Sequence, residues 1–134
     1  LSSGAKDPVW PAVNQIQYHV GMGSDPEGLL SYCAARGIVV QAYSPLASGK
    51  LLSVPPPEVG AAAKAHNKSL AQVALKWVLQ SQTAKLSLVT KADTKDYIQE
   101  DVSLFDWTLT QSEMRALNGA TSPSSVPSWG CTAA

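Results

Sequence analysis

Two features of this sequence could do chemistry together. Tyr43 ends the apolar run Val39-Val40-Gln41-Ala42-Tyr43, and behind it comes a loop of small residues, Ser44-Pro45-Leu46-Ala47-Ser48-Gly49. An aromatic ring offers a flat apolar platform. Backbone N–H groups after Pro45 and beside Gly49 could cradle an anion such as a pyrophosphate, so platform and cradle have the shape of a cofactor site. Ser-Pro followed by Gly is equally an ordinary turn, and on this stretch alone both readings stand. Gln15 and Lys91 are further candidates. Gln15 lies in an alternating strand-like stretch where its amide needs hydrogen-bond partners if buried, and Lys91 stands where a strand gives way to a helix.

The elements that must position these residues follow from pattern. Ala12 to Tyr18 alternates apolar and polar residues, with Val13, Gln15 and Gln17 on one face and Asn14, Ile16 and Tyr18 on the other. Asp25-Pro26-Glu27 opens a helix expected over 26–36, with Leu29, Leu30, Cys33 and Ala34 on its apolar face and Gly37 as its stop. A buried parallel strand is expected at 38–43, then a long loop to Pro57 whose Pro55-Pro56-Pro57 run reads as a stiff exposed passage. A modest helix at 58–66 precedes a stronger one. The latter opens on the capping box Ser69-Leu70-Ala71-Gln72 and carries the stripe Leu70, Val73, Ala74, Trp77 and Val78, with Trp77 expected in the core. A short strand at 85–89, a helix at about 95–104 and a second capping box, Thr110 to Glu113, complete the ordered chain. From Thr121 onward Ser and Pro dominate, so 120–134 is expected to be a flexible tail. The strand-helix alternation implies a parallel α/β structure, and its strands carry apolar faces and edges that ordinarily need covering.

Composition narrows the functions. With 134 residues, 45% of them hydrophobic, the chain has the size of one domain or part of one. Ten Lys and Arg balance ten Asp and Glu without a basic cluster, which argues against nucleic acid and anionic membrane as partners. The two cysteines, Cys33 and Cys131, have no metal-ligand spacing and no disulfide framework, so a cytoplasmic location is expected. There is neither a run of membrane-spanning length nor a signal peptide pattern, and no GxGxxG or GxSxG motif.

Five stretches in order, PAVNQIQYH at 11–19, GIVVQAYSPLASGKLL at 37–52, SLAQVALKWVLQ at 69–80, VTKADTKDYIQEDVSLFDW at 89–107 and LTQSEMRALN at 109–118, make the chain resemble the carboxyl-terminal part of an aldo-keto reductase. The resemblance implies an incomplete (β/α)8 TIM barrel holding the last three strand-helix units, sixth to eighth, and the C-terminal helix, with 1–134 as part of a single domain. It also implies hydride transfer between a nicotinamide cofactor and a small-molecule carbonyl substrate, an aldehyde or ketone. By the same resemblance Gln15 holds the nicotinamide carboxamide, Tyr43 stacks beneath the ring, and Ser44, Leu46 and Ser48 line the pyrophosphate path. Lys91 meets the ribose phosphate of NADP, and Thr94 and Glu100 lie near the adenosine end.

Departures from the family pattern bear on cofactor choice. Ala92 replaces a usual hydroxyl residue, Tyr97 a frequent arginine and Asp101 a common asparagine, so NADP is expected with NAD left open. Val20 also replaces a proline that often follows the family's histidine. The family's proton donor, a tyrosine assisted by lysine, histidine and aspartate, belongs to the first half of the barrel, so no catalytic residue is assigned here and the isolated chain is expected to be inactive. His19 is read as a hydrogen-bonded loop residue and His66 as solvated, and Tyr18, Tyr32, Asp25 and Lys50 have no spacing that makes them a substitute set. Trp107 and Trp129 are read as packing or tail residues, with Trp129 a candidate to face substrate in a complete enzyme. The parent is expected to be monomeric and the fragment to associate through exposed strands. The alternative is a truncated, non-catalytic nucleotide-binding or interaction module.

Overall fold

The computed structural model describes residues 9–124. Strands β1 (Val13–Gln17), β2 (Val39–Tyr43) and β3 (Leu86–Leu88) form one parallel sheet in that order. Gln15 lies level with Gln41, Gln17 with Tyr43, and Ala42 with Leu88, so the strands' carboxyl ends share one edge. Parallel neighbours need crossovers. Helix α1 (Leu29–Ala34) lies between β1 and β2, while α2 (Lys50–Ser53), α3 (Pro57–His66) and α4 (Leu70–Gln80) lie between β2 and β3. Helices α5 (Lys95–Val102) and α6 (Gln111–Asn118) follow.

The two faces of the sheet differ. Val40 packs with Cys33 and Ile38, and Ala42 with Leu30, Val73, Ala74 and Trp77, so α1 and α4 cover the same face. Val39, Gln41 and Tyr43 point the other way and are only half-buried, and Val13 and Gln15 on that face are exposed. One-sided cover is what a barrel wall has, whereas a doubly wound sheet carries helices on both sides.

Local sequence explains the strongest helix. Ser69 Oγ accepts the Gln72 N–H at 3.1 Å, and Gln72 Oε1 accepts the Ser69 N–H at 3.1 Å. This reciprocal cap satisfies two donors at the helix start that would otherwise lack partners. The stripe then buries Val73, Ala74, Trp77 and Val78 completely. Trp77 stacks on Tyr18 with ring centroids 4.9 Å apart, and its indole N–H donates to Asn118 Oδ1 at 2.8 Å, which ties α4 to α6. The box at Thr110 and Glu113 also forms.

Several expectations are corrected. The helix over 26–36 is broken at its start: Pro26–Gly28 is a 3-10 turn in which Glu27 and Gly28 have φ of 55° and 72°, and α1 begins only at Leu29. Asp25 still caps, but it caps α1 across that turn, accepting the Leu30 N–H at 2.8 Å and the Ser31 hydroxyl. Ala34 is exposed, because a helix this short turns only Leu30 and Cys33 fully inward. The expected long loop to Pro57 contains a 3-10 turn at Ala47–Gly49 and then α2; Pro56 is buried and Pro57 is the first residue of α3. His66 is not simply solvated, since its Nε2 lies 2.9 Å from Glu113 Oε2 and its ring sits beside Trp107.

Trp129, Cys131 and 125–134 of the predicted tail lie outside the described residues. Within 120–124, Ala120 is buried and the chain passes close to Gly21, whose φ is 104°. A Cβ at Gly21 would collide with the Ser122 and Pro123 carbonyls, so glycine is required there both for its dihedral and for the approach.

Candidate functional site

A cleft of about 520 Å³ opens at the carboxyl edge of β2 and β3, lined by Tyr43, Ser44, Leu46, Ser48, Thr90 and Lys91 among others. Five of the eight residues picked out from sequence thus meet in one place. Position in the fold explains it: two neighbouring parallel strands end side by side, and the loops leaving them face each other.

The loop after β2 holds an unusual backbone. Ser44, Ala47 and Ser48 have φ of 49°, 51° and 53°, and Gly49 has 87°. The left-handed region costs a residue with a Cβ roughly 1–2 kcal/mol. Such strain persists only where surrounding packing enforces it, and fully buried Ala47 and Leu51 anchor this turn in the core. The Ala47 N–H donates to Ser44 O at 2.9 Å, Gly49 N–H to Leu46 O at 3.0 Å, and Lys50 N–H to Ala47 O. The amides of Gly49 and Lys50 are thereby closed to an anion. The amides of Leu46, which follows Pro45, and of Ser48, beside Gly49, have no backbone acceptor among the described residues.

Lys91 stands at the rim with its side chain 84% exposed, and its Nζ lies 2.7 Å from Asp93 Oδ2. The hydrogen bond and the charge of Asp93 raise the Lys91 pKa, so the ammonium is fully charged at neutral pH. The sequence marks Lys91 at a strand end, while for Asp93 its only signal is a carboxylate two residues further on.

The remaining three predicted residues are not part of the cleft lining. Gln15 is exposed rather than buried, and its Nε2 donates to Gln41 Oε1 at 2.7 Å on the open face of the sheet, two residues before Gln17, the neighbour of Tyr43. Thr94 caps α5 by accepting the Tyr97 N–H at 3.2 Å. Glu100 joins α5 to α4: its carboxylate accepts the Ser69 hydroxyl at 2.6 Å and its carbonyl accepts the Gln72 amide at 3.2 Å.

Tyr18 and its neighbours are engaged in the fold. Burial pushes its phenol up to about 12, and the hydroxyl donates to Ser24 O at 3.2 Å. Asp25 is engaged as a cap. His19 is buried at the end of β1, where its Nδ1 lies 2.7 Å from Val20 O and its Nε2 3.2 Å from Gln17. Burial, reinforced by the Lys50 charge, lowers its pKa. Among the described residues no group of three His, Cys, Asp or Glu could hold a metal, and no helix is long and apolar enough to cross a membrane.

A second cleft of about 400 Å³ lies where α4 turns into β3, with Gln80, Thr83, Gln111, Arg115 and Asn118 in its lining. Several of its polar groups already serve the fold. Gln80 pairs with both backbone groups of Leu109, at 2.7 and 2.9 Å, and Asn118 holds Trp77.

A profile of the Aldo/keto reductase family matches residues 3–121. The chain belongs to the aldo/keto reductase family. Its relatives include the uncharacterized oxidoreductase YtbE of Bacillus subtilis, 34% identical over 108 residues that make up 81% of this chain and 36% of that protein. Among solved structures, the aldose reductase of Schistosoma japonicum superposes with a TM-score of 0.67 at 34% identity, covering 83% of this chain and 34% of that one. The aldo/keto reductase of Klebsiella pneumoniae, solved with NADP and acetate, superposes with a TM-score of 0.70 at 25% identity, over 80% and 38% of the two chains. This aldo/keto reductase chain thus spans little more than a third of the length of the relatives it matches.

Proposed function

We propose that this chain forms the cofactor-binding part of an NAD(P)H-dependent aldo-keto reductase, one that reduces aldehydes or ketones to alcohols. Its three strands correspond to the sixth, seventh and eighth of a (β/α)8 barrel, with α6 as the C-terminal helix. The observation that carries this reading is the meeting of Tyr43, the strained loop with Ser44, Leu46 and Ser48, and Lys91 at two adjacent parallel strand ends.

The residues present fit a nicotinamide dinucleotide. Tyr43 gives an aromatic face for the ring, and Ser44, Leu46 and Ser48 lie along the turn whose open amides suit a pyrophosphate. Lys91 gives the cation for a ribose phosphate. Gln15, already turned toward the open face, offers a carboxamide partner one layer below Tyr43. Thr94 and Glu100 set the position of α5, and with it the adenosine end. The bound cofactor supplies the hydride. This chain's own task would be to bind and orient the cofactor, with Tyr43 as the platform for its ring. We assign it no proton donor.

Fluorescence titration of the 134-residue chain with NADPH tests the reading. Saturable binding that weakens at least about tenfold in Tyr43→Ala is expected, because the ring loses its platform. Saturable binding unchanged by Tyr43→Ala, or none at all, would remove it.

A second reading, an interaction module, rests on a different observation. Helix α5 and the turn after it leave Ile98, Val102 and Phe105 exposed to 52%, 59% and 78%. Apolar groups at this spacing form one face that ordinarily meets a partner. Sedimentation decides: self-association lost in Val102→Asp favours this reading, and a monomer at all concentrations removes it.

A further inference from the structure

We propose that Asp93 is a specificity-determining residue for the cofactor: paired with Lys91, it offsets the cation meant for the ribose phosphate and lowers discrimination between NADP and NAD. The inference rests on the proposed cofactor role of the Tyr43 cleft and adds a residue that neither the resemblance nor the sequence pattern had assigned.

Three observations lead to it. Lys91 is the charged side chain in the lining of this cleft, and its Nζ is engaged by Asp93 at 2.7 Å. Both side chains stand in solvent, 84% and 63% exposed, so the pair is accessible to a ligand at the rim. Tyr97, one turn into α5, contributes a phenol and no second cation, and its N–H is taken by the Thr94 cap. The one charged side chain in the cleft lining is thus an ammonium already paired with a carboxylate.

The physical chemistry runs in two directions. A phosphate on the adenosine ribose must compete with Asp93 for Lys91 and must also lie close to the Asp93 charge, so NADP binding is weakened. A ribose carrying a free 2′-hydroxyl meets no such penalty. A carboxylate is instead a good acceptor for that hydroxyl, which is how acidic residues favour NAD in dinucleotide sites generally. One side chain thereby works against NADP and toward NAD, while Lys91 does the opposite. Because both are exposed, the effect is screened by salt.

Isothermal titration of the whole chain with NADP and with NAD, in the parent, Asp93→Asn, Lys91→Met and the double variant, tests this. The parent should show a small preference for NADP. Asp93→Asn should raise the NADP-to-NAD preference roughly 3- to 10-fold at about 0.05 M salt, chiefly through tighter NADP binding, and the gain should shrink at about 0.5 M. Lys91→Met should abolish the preference or tip it toward NAD, because Asp93 then acts unopposed, and adding Asp93→Asn should bring the two dinucleotides to about equal binding. Asp93→Ser serves as a second neutral variant, and thermal unfolding of each protein confirms that the fold is intact. An unchanged preference in both neutral variants, with Lys91→Met still lowering it, overturns the role of Asp93 and leaves the cofactor reading standing. Binding of neither dinucleotide, or a preference indifferent to Lys91→Met, overturns the cofactor reading and this inference with it.

Discussion

The helix-covered face of the sheet and the strand ends at Tyr43 obey opposite rules. Behind the sheet the chain is packed: Trp77 lies on Tyr18, Val40 and Ala42 are fully buried, and the Trp77 indole N–H and the Gln80 amide find partners at 2.7–2.9 Å. At the strand ends the chain does the reverse. It holds three non-glycine residues in the left-handed region, leaves two amides unbonded to backbone and places an ion pair in water. Packing of the first kind stabilises without offering anything to a ligand. The second kind is tolerable only because Ala47 and Leu51 root the loop in the first. Stability and binding are therefore separable by mutation, and the following tests probe that separation from the largest expected effect to the smallest.

Trp77→Ala removes the largest buried side chain and should cost about 3–5 kcal/mol, read as a lower urea midpoint. At a stability typical of a domain this approaches global unfolding, and a loss below about 1 kcal/mol would show that the two regions are not divided as described. Gly21→Ala should cost at least about 1–2 kcal/mol, because the new Cβ meets both an unfavourable dihedral and the carbonyls of Ser122 and Pro123. If the protein melts at the parent temperature, the chain after Ala120 does not pass by Gly21.

A pH effect comes next. The folded-state pKa of His19 lies below its unfolded value near 6.5, so folding favours the neutral ring. Its contribution is complete above that unfolded value and is lost as pH falls toward the folded one. The urea midpoint should decline between about pH 7.5 and 5.5, and His19→Gln should flatten that decline. A slope identical in the variant would assign it to other groups. The smallest effect is expected from Ser48→Gly. Relief of a positive φ should raise stability by up to about 1 kcal/mol, set against added freedom in the unfolded chain, while NADPH binding weakens because the loop is no longer held in one shape. A variant that gains stability and keeps full affinity would mean that the strain has no part in binding.

What could be seen in the sequence, and what could not, divides along similar lines. Both capping boxes were legible because their partners are three residues apart and need only helical geometry. Strand positions were legible from alternation and apolar runs, although β3 is shorter than its pattern suggested. The break at Glu27 and Gly28 was hidden, since Asp25-Pro26 is a valid helix start and only the packing of Leu30 and Cys33 sets where the helix begins. The pairing of His66 with Glu113 joins positions 47 apart and has no local signal. For the candidate site, the resemblance picks out Tyr43, Ser44, Leu46, Ser48 and Lys91, which share the cleft lining, while the turn chemistry alone left the loop undecided. The left-handed backbone at Ser44, Ala47 and Ser48 could not be foreseen, because these residue types do not favour it.

The central claim, that the cleft at the ends of β2 and β3 takes a nicotinamide dinucleotide, is tested most directly by amide chemical shifts of the labelled chain during titration with NADPH. The account predicts that the perturbed amides cluster at residues 43–49 and 89–91, with Leu46 and Ser48 among the largest shifts, and that Val73 to Val78 stay still. Perturbation centred instead on Gln80 to Thr83 and Arg115, or spread evenly without saturation, would contradict it.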